Sequence, residues 1–263
     1  MGQRYDTVSF LTDYGTRDEF VGVVKAVIRD LAPHVVVVDV THEVAPFDVR
    51  AGSLTLARSV QYLPRGVVLA VVDPGVGTAR RAVAVEVAGG AGVLIGPDNG
   101  LLAPAVAMAG GAERAVVLDR AEFHLDAPGA TFAGRDVFAP VAAHLCNGAD
   151  LAEVGTPIDP ELLLPGVVPV PRDEAGGLAC EVTWVDRYGN CQLNAGPDEV
   201  HSWGGRLRVT IDGVPRSAPI VASFAEAAGG VALVIDSYGM LALCVDRHSA
   251  AMELGIGEGS AVH

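Results

Sequence analysis

The chain has 263 residues, of which 50% are hydrophobic, and a formal net charge of -14 at pH 7. This length allows one large or two modest domains with a sizeable core, and the composition is that of a globular rather than a disordered protein. The acidic excess, without a cluster of lysines and arginines, argues against binding to nucleic-acid phosphates or an anionic membrane. Small molecules are therefore the expected partners.

The first half of the chain alternates strand and helix patterns. Its β-branched and apolar runs predict buried strands, and apolar residues at helical spacing between them predict amphipathic helices. The βαβαβ order predicts right-handed crossovers and a mainly parallel sheet flanked by helices, with the loops after the strands on one edge. The expected strands are 7–11, 35–40, 67–72, 82–87, 93–95 and 115–118, and the expected helices are one that starts at a Thr16–Glu19 capping box and ends before Pro33, then 49–62, 101–108 and 138–146.

The sequence changes character between residues 155 and 177, where five prolines predict an extended connection without a helix. We therefore divide the chain into an α/β domain over 1–160, a proline-rich linker over 161–177 and a smaller all-β, barrel-like domain over 178–263. No internal repeat is visible. Strands of the second domain are expected at 179–185, 192–194, 206–211, 220–222, 231–236 and 241–245.

The seven histidines and four cysteines are scattered along the chain. No group of them has the spacing of a metal site, so neither a metal nor another cofactor is predicted. The cysteines are expected to be buried free thiols. The N-terminus lacks the apolar core of a signal peptide and no segment reaches the ~18 apolar residues of a membrane span, which indicates a cytoplasmic protein.

A carboxylate and two guanidinium groups stand beside a strand end in the stretch 71–81. Pro74 and Gly75 cannot continue the strand, so Asp73 is expected at its carboxyl end, where open α/β sheets bind ligands. An isolated Asp-Pro-Gly is more often a surface turn whose aspartate pairs with a nearby arginine. A functional site is favoured here because polar residues also follow other expected strands, at 12–15, 41–48, 96–100, 131–136 and 185–190.

Six motifs follow one another in unbroken order along the chain. They are Phe-Leu-Thr-Asp-Tyr-Gly at 10–15, Thr-His-Glu-Val at 41–44, Val-Val-Asp-Pro-Gly-Val-Gly-Thr-Ala-Arg-Arg at 71–81, Gly-Pro-Asp-Asn-Gly-Leu-Leu at 96–102, Thr-Phe-Ala-Gly-Arg-Asp at 131–136 and Val-Asp-Arg-Tyr-Gly-Asn at 185–190. Together they resemble the S-adenosylmethionine hydroxide adenosyltransferases, which are adenosine-forming hydrolases related to the fluorinating and chlorinating enzymes. The resemblance implies the reaction of S-adenosyl-L-methionine with water to give adenosine and L-methionine. It also implies a homotrimer whose active sites lie between the N-terminal domain of one subunit and the C-terminal domain of its neighbour.

The resemblance implies a catalytic triad of aspartate, arginine and histidine. Its aspartate is Asp73 and its arginine is Arg80, whereas the position of the histidine is occupied by Ala133. Two interpretations of this alanine are open. Either catalytic power is lost while the binding pocket is kept, or the water is activated by Asp73 and Arg80 alone. We prefer the first, which predicts slow hydrolysis with substrate affinity largely retained.

Substrate contacts are also implied by the resemblance. Asp13 corresponds to the aspartate that holds the ribose hydroxyls, and aromatic residues are expected to enclose the adenine and ribose. Asn190 is expected to bind the adenine edge and Asp186 the methionine ammonium. Tyr238 lies beside the expected carboxylate site, where the fluorinating enzymes have an arginine. The remaining expected contacts are Asp18, Phe47, Phe132, Gly134, Tyr188, Phe224, Ser237, Val245 and Arg247.

Two other functions stay open at this stage. Halide transfer would fit the space that Gly134 leaves, but the halogenating relatives have a tyrosine at the position of Asp73, and a carboxylate there would repel a chloride ion. The second is a protein that binds S-adenosylmethionine or a nucleoside without turnover, which the alanine at position 133 keeps open. Product analysis separates all three functions.

Overall fold

The computed structural model describes residues 4–174 and 176–263, and the chain splits into two compact units, Met1–Val167 and Val168–His263. This division lies within the segment 161–177 that was expected to connect the domains. Within the described ranges, no helix combines the length and the apolar character that crossing a bilayer requires.

The first unit is an α/β structure built on a seven-stranded sheet. The strand order is β2-β1-β3-β5-β4-β6-β7. Most expected elements are present with ends shifted by one to three residues, and the structure adds β7 in the proline-rich region. The elements are β1 (Thr7–Thr12), α1 (Phe20–Leu31), β2 (Val36–Thr41), α2 (Val49–Val60), β3 (Gly66–Val71), β4 (Ala82–Val87), β5 (Gly92–Pro97), α3 (Ala103–Met108), β6 (Ala112–Val117), α4 (Ala139–Cys146) and β7 (Thr156–Ile158).

The sheet is parallel over the first four strands of its order, as expected, and mixed as a whole. Strands β2, β1, β3 and β5 run parallel, whereas β4 is antiparallel to β5 and β6, and β7 is antiparallel to β6. Only residues 88–91 separate β4 from β5, and that is too short for the crossover that parallel neighbours need. The carboxyl ends of β1, β2, β3 and β5 nevertheless lie on one edge, where ligands bind in such sheets.

Both faces of the sheet are covered, because its central strands are apolar on both sides. All six residues of β3 are buried. Phe10 of β1 packs into a cluster with residues of α1 and α4, and its neighbour Leu11 packs into a second cluster with Leu56 of α2. Burial of each such side chain contributes about 1.5–3 kcal/mol, so the sheet is a rigid base for the loops at its edge.

The start of α1 differs from the expected capping box. The helix begins at Phe20, and Glu19 occupies the N-cap without a side-chain cap hydrogen bond. Thr16 instead donates a hydrogen bond to Glu43 at 3.1 Å, in the loop after β2. The capping-box prediction was therefore wrong, because a tertiary contact between two loops takes the hydroxyl that the local pattern assigned to the helix.

The second unit is mostly β structure, with short helices that the sequence pattern did not indicate. Its strand order is β11-β12-β13-β14-β10-β9-β15, and β8 pairs with β9. Thr210 and His263 exchange backbone hydrogen bonds of 2.6 and 3.0 Å, which join β11 to the end of β15 and curl the sheet. The elements are β8 (Arg172–Glu174), β9 (Gly177–Val185), β10 (Cys191–Leu193), α5 (Pro197–Val200), β11 (Arg206–Ile211), β12 (Val214–Val221), β13 (Ala232–Ile235), β14 (Leu241–Cys244), α6 (Ala250–Leu254) and β15 (Ala261–Val262).

The cysteines are free thiols, as expected. Cys146, Cys191 and Cys244 are buried, and Cys180 is half-buried. Burial raises the pKa of the Cys146 thiol to about 12 and that of each of the others to about 11. Thiols that stay protonated at neutral pH are poor nucleophiles and metal ligands, so these groups contribute packing.

Candidate active site

A cavity of about 760 Å³ opens at the carboxyl edge of the sheet in the first unit. It lies among the loops that follow β1, β2 and β3 and the segment 128–135. Asp13, Phe47, Asp73 and Ala133 all line it. Its volume is in the range of small-molecule sites. The structure thus brings together the three loops that the strand order predicted would converge.

Asp73, which lines this cavity, forms a two-pronged ion pair with Arg80. The Nε atom of Arg80 lies 2.9 and 3.0 Å from the two carboxylate oxygens of Asp73, and its Nη2 atom also donates to Oδ2. The side chain of Arg80 is 16% exposed and that of Asp73 only 5%. The guanidinium carbon lies 5.3 Å from the ring centroid of Phe138. A buried and stacked pair of this kind is fixed in position, unlike the surface turn considered from the sequence.

The loop that carries this pair is closed by its own hydrogen bonds. Thr78 donates from its hydroxyl to the carbonyl of Gly75 at 2.7 Å, and the same hydroxyl accepts from the backbone N–H of Arg80 at 3.3 Å. A Cβ atom at Gly75 would lie 3.2 Å from Cγ of Arg80. Glycine therefore lets the arginine side chain pass close to the backbone and reach Asp73.

The second guanidinium of the motif has a different partner. Arg81 donates through Nε to Asp98 at 2.8 Å and through Nη2 to the carbonyl of Leu162. The other oxygen of Asp98 accepts from the backbone N–H of Leu164 at 2.8 Å. Arg81 and Asp98 therefore attach the segment 162–164 to the sheet edge, and we infer a structural role for this pair.

Asp13 and Phe47 are held together at the cavity. The carboxylate of Asp13 accepts a hydrogen bond of 2.8 Å from the backbone N–H of Phe47. Phe47 has a φ of +68° and is 72% exposed. A bulky residue in this left-handed conformation costs about 1–3 kcal/mol, and such strain is concentrated at ligand sites. The next residue, Asp48, starts α2 by accepting from the N–H of Ala51 at 2.8 Å.

An aromatic cluster forms another wall of the cavity. Tyr14 makes edge-to-face contacts with Phe20 and Phe132, each at a centroid distance of 5.8 Å, and these two rings lie 5.2 Å apart. Burial, with smaller contributions from the charges of Asp13 and Asp73, raises the pKa of the Tyr14 hydroxyl well above its ordinary value. Tyr14 was not among the predicted site residues, because nothing in the sequence separates it from ordinary core aromatics.

Ala133 immediately precedes a single π-helical turn, Gly134–Phe138. The backbone N–H groups of Arg135 and Asp136 both donate to the carbonyl of Phe132 at 3.0 Å. Arg135 also pairs with the carboxylate of Asp136, at 2.5 and 3.0 Å, and lies over the ring of Phe132. Such π turns are frequent at functional sites. Ala133 lines the cavity, and its methyl side chain has no hydrogen-bonding group to offer there.

The loops after β1 and β2 are connected by buried polar groups that do not line the cavity. Thr12 Oγ1 lies 2.9 Å from Nδ1 of His42 and accepts from the N–H of Tyr14 at 3.1 Å. The carbonyl of His42 accepts from Gly15 at 2.7 Å. The other ring nitrogen of His42 lies 3.2 Å from a carboxylate oxygen of Asp39. His42 therefore has a structural role that fixes the backbone of Asp13 and Tyr14.

In the second unit, five expected substrate-contact residues line one cavity of about 390 Å³. Other predicted residues lie elsewhere: Asp18 is exposed and does not line the cavity of the first unit, and Asp186, Ser237 and Tyr238 do not line this second one. Their roles stay predictions. The five residues of the cavity are Tyr188, Asn190, Phe224, Val245 and Arg247.

Two turns of the second unit have the same construction. In 186–190, the carboxylate of Asp186 accepts from the N–H groups two and four residues later, at 2.9 and 2.8 Å. In 236–240, Asp236 does the same at 2.9 and 3.0 Å. Each turn has glycine at the fourth position, with φ of +84° and +79°. The shared pattern, Asp-x-Tyr-Gly-x, is too short to stand out in the sequence.

Comparison with known proteins identifies the family. Residues 8–155 match the model of the SAM hydroxide adenosyltransferase N-terminal domain, and residues 180–263 match that of its C-terminal domain. The chain belongs to this family. The resemblance found in the six motifs is thereby confirmed for both halves of the chain.

Several relatives match this chain along most of its length. An (R)-S-adenosyl-L-methionine hydrolase from Salinispora tropica is 47% identical over 96% of this chain and 95% of the relative. A fluorinase from Actinoplanes sp. is 30% identical over 90% of this chain and 89% of the fluorinase. The crystal structure of an uncharacterized conserved protein from Thermotoga maritima has a TM-score of 0.89 at 33% identity, covering 97% of this chain and 98% of that one.

Proposed function

We propose that this protein hydrolyses S-adenosyl-L-methionine to adenosine and L-methionine by in-line attack of a water molecule on C5′. The observation that carries the proposal is the buried Asp73–Arg80 pair, whose aspartate lines a cavity of about 760 Å³. The hydrolase from Salinispora tropica, similar along almost its whole length, supports the same reaction.

The reaction balances without a metal or a cofactor. The water oxygen forms a bond to C5′ while the bond from C5′ to sulfur breaks, and the bonding electron pair stays on sulfur to give the neutral thioether of methionine. One proton of the water leaves through a base and then to solvent. Because the sulfonium is already an activated leaving group, the protein has to position the water and keep bulk solvent away.

Asp73 is the proposed base and Arg80 its electrostatic partner. Even with the Arg80 fork in place, a carboxylate keeps lone-pair sites that can accept a proton or a hydrogen bond from water. The adjacent guanidinium stabilises the negative charge that develops on the water oxygen. Stacking on Phe138 holds the guanidinium in place, so little reorganisation is needed during the reaction.

We assign substrate binding to the two predicted groups of residues. In the first unit Asp13 would hold the ribose hydroxyls, with Phe47 and Phe132 as apolar walls. The predicted residues of the second unit, among them Asn190 and Asp186, would recognise the adenine and the methionine. The homotrimer with active sites shared between subunits and the cytoplasmic location belong to the same proposal.

Incubation of the purified chain with S-adenosyl-L-methionine in ¹⁸O-labelled water tests the reaction. Hydrolysis by attack at C5′ gives adenosine and methionine in equal amounts, with one labelled oxygen at the 5′ position of adenosine. Asp73→Asn serves as the control for background decomposition. Adenosine without the 5′ label, or tight binding of the substrate without methionine release, would contradict the proposal.

Chloride or fluoride added to the same assay separates hydrolysis from halide transfer. The carboxylate of Asp73 is 5% exposed and repels an anion placed beside it, so we expect no 5′-halogenated adenosine and no effect of halide on the adenosine yield. Halide-dependent formation of such a product would support halide transfer as the function.

A further inference from the structure

The hydroxyl group of Tyr14 reaches the segment in which the family motif has its histidine. If a Cβ atom is placed on Gly134, it lies 2.2 Å from Tyr14 Oη. The hydroxyl therefore contacts the backbone of the residue that directly follows Ala133. Tyr14, Ala133 and Gly134 line the same cavity as Asp73.

Position and direction of this hydroxyl are set by rigid neighbours. Phe20 and Phe132 contact the ring edge-to-face, and the backbone of Tyr14 is held by the Thr12 hydroxyl at 3.1 Å. Within residues 4–174 and 176–263, no protein group forms a hydrogen bond with Tyr14 Oη. A partly buried hydroxyl in a cavity wall needs a partner, and a bound water or ligand can supply it.

We propose that the Tyr14 hydroxyl orients the attacking water, in place of the imidazole that position 133 lacks. A water placed between the two groups donates one hydrogen to Asp73 and the other to Tyr14 Oη, which leaves an oxygen lone pair for C5′. The bond changes are those of the proposed hydrolysis, on which this inference rests. Tyr14 binds the water and takes no proton from it.

Protonation of the phenol agrees with that role. The raised pKa keeps Tyr14 neutral at neutral pH, so its oxygen can accept and its hydrogen can donate. A neutral hydroxyl is a weak base, so Asp73 remains the group that takes the proton. The histidine-to-alanine change therefore removes one means of holding the water while the chain keeps another.

Tyr14→Phe removes this oxygen and leaves the ring contacts in place. We expect kcat to fall by about tenfold, which corresponds to the loss of one hydrogen bond, and KM to change by less than about threefold. The melting temperature and the affinity for adenosine should stay those of the wild type, because none of the described residues forms a hydrogen bond with Oη. Tyr62→Phe is the matched control, since this exposed tyrosine lies outside the cavity.

Ala133→His, made in the wild type and in the Tyr14→Phe background, distinguishes a water-orienting role from a structural one. If the imidazole and the phenol do the same work, the histidine raises kcat more in the Tyr14→Phe background than in the wild type. A wild-type kcat in Tyr14→Phe, or an equal effect of the histidine in both backgrounds, overturns the inference alone. If the wild type releases no adenosine, the proposed hydrolysis fails and this inference fails with it.

Discussion

Gly134 is where the packing of the candidate site can be measured most directly. An alanine at this position would place its Cβ atom 2.2 Å from Oη and 3.2 Å from Cζ of Tyr14, and 3.4 Å from Cε2 of Phe132. Ordinary contacts need about 3.5 Å, so the phenol ring would have to move by about 1 Å. Overpacking of this kind costs about 1–3 kcal/mol, and the buried position of Gly134 favours the upper half of that range.

The same structure predicts that Tyr14→Phe relieves most of this cost. Without Oη, the shortest distance from the new methyl group is 3.2 Å, which a shift of a few tenths of an ångström accommodates. We therefore expect Gly134→Ala to lower the free energy of unfolding by about 2 kcal/mol with Tyr14 present and by less than about 1 kcal/mol in the Tyr14→Phe background.

Urea unfolding of the four proteins in this cycle gives the two values and their difference. Gly22→Ala is the control, because its Cβ atom meets nothing within 4 Å on the exposed face of α1 and should raise stability by about 0.5–1 kcal/mol. Equal losses in the two backgrounds would refute the contact between Tyr14 and Gly134, and with it the basis for the water-orienting role.

Three further predictions concern the other parts of the site. Asp73→Asn should lower kcat by about 100-fold or more while adenosine affinity, measured by calorimetry, changes little, because the amide cannot accept the proton; a normal rate would exclude Asp73 as the base. Phe47→Gly should leave the free energy of unfolding unchanged or raise it, because glycine adopts the φ of +68° without strain. The loss of aromatic contact should weaken adenosine binding by up to about tenfold. Unchanged affinity would place Phe47 outside the binding site. Arg81→Ala should lower unfolding free energy by about 2 kcal/mol, because it leaves the carboxylate of Asp98 buried without its cation, and should spare kcat; a rate loss at full stability would contradict the structural role.

Some residues of the candidate site could be found from the sequence, and one could not. Asp73 could be found because a buried apolar strand ends at Pro74, and because the carboxyl ends of parallel strands meet at one edge. Arg80 followed from the family motif, which also marked Ala133 as a departure. Tyr14 lies in the motif at 10–15, but the sequence could not identify it as a site residue. Its proposed role depends on a contact with Gly134, which lies 120 positions later in the chain.

Local patterns failed where tertiary contacts compete with them. The Thr16 hydroxyl fits a capping box, but the structure uses it to bind Glu43 of another loop. The β4 strand was recognised from its apolar residues, but its antiparallel pairing with β5 was missed, although the short connection between the two strands already requires it. The common construction of the two Asp-x-Tyr-Gly-x turns became visible only when their hydrogen bonds could be compared.

By itself, the sequence determined which segments form strands and helices, the family, and the identity of the groups able to do chemistry. These properties depend on apolar periodicity and on motifs, which are local in the chain. Only the tertiary structure decided that Asp73 and Arg80 form a buried ion pair and that Arg81 binds Asp98 instead. It also decided that the Tyr14 hydroxyl lies beside Gly134, the residue that follows position 133. Hydrogen bonds and van der Waals contacts act over a few ångströms, so residues far apart in the chain can interact only after the sheet has brought their loops together.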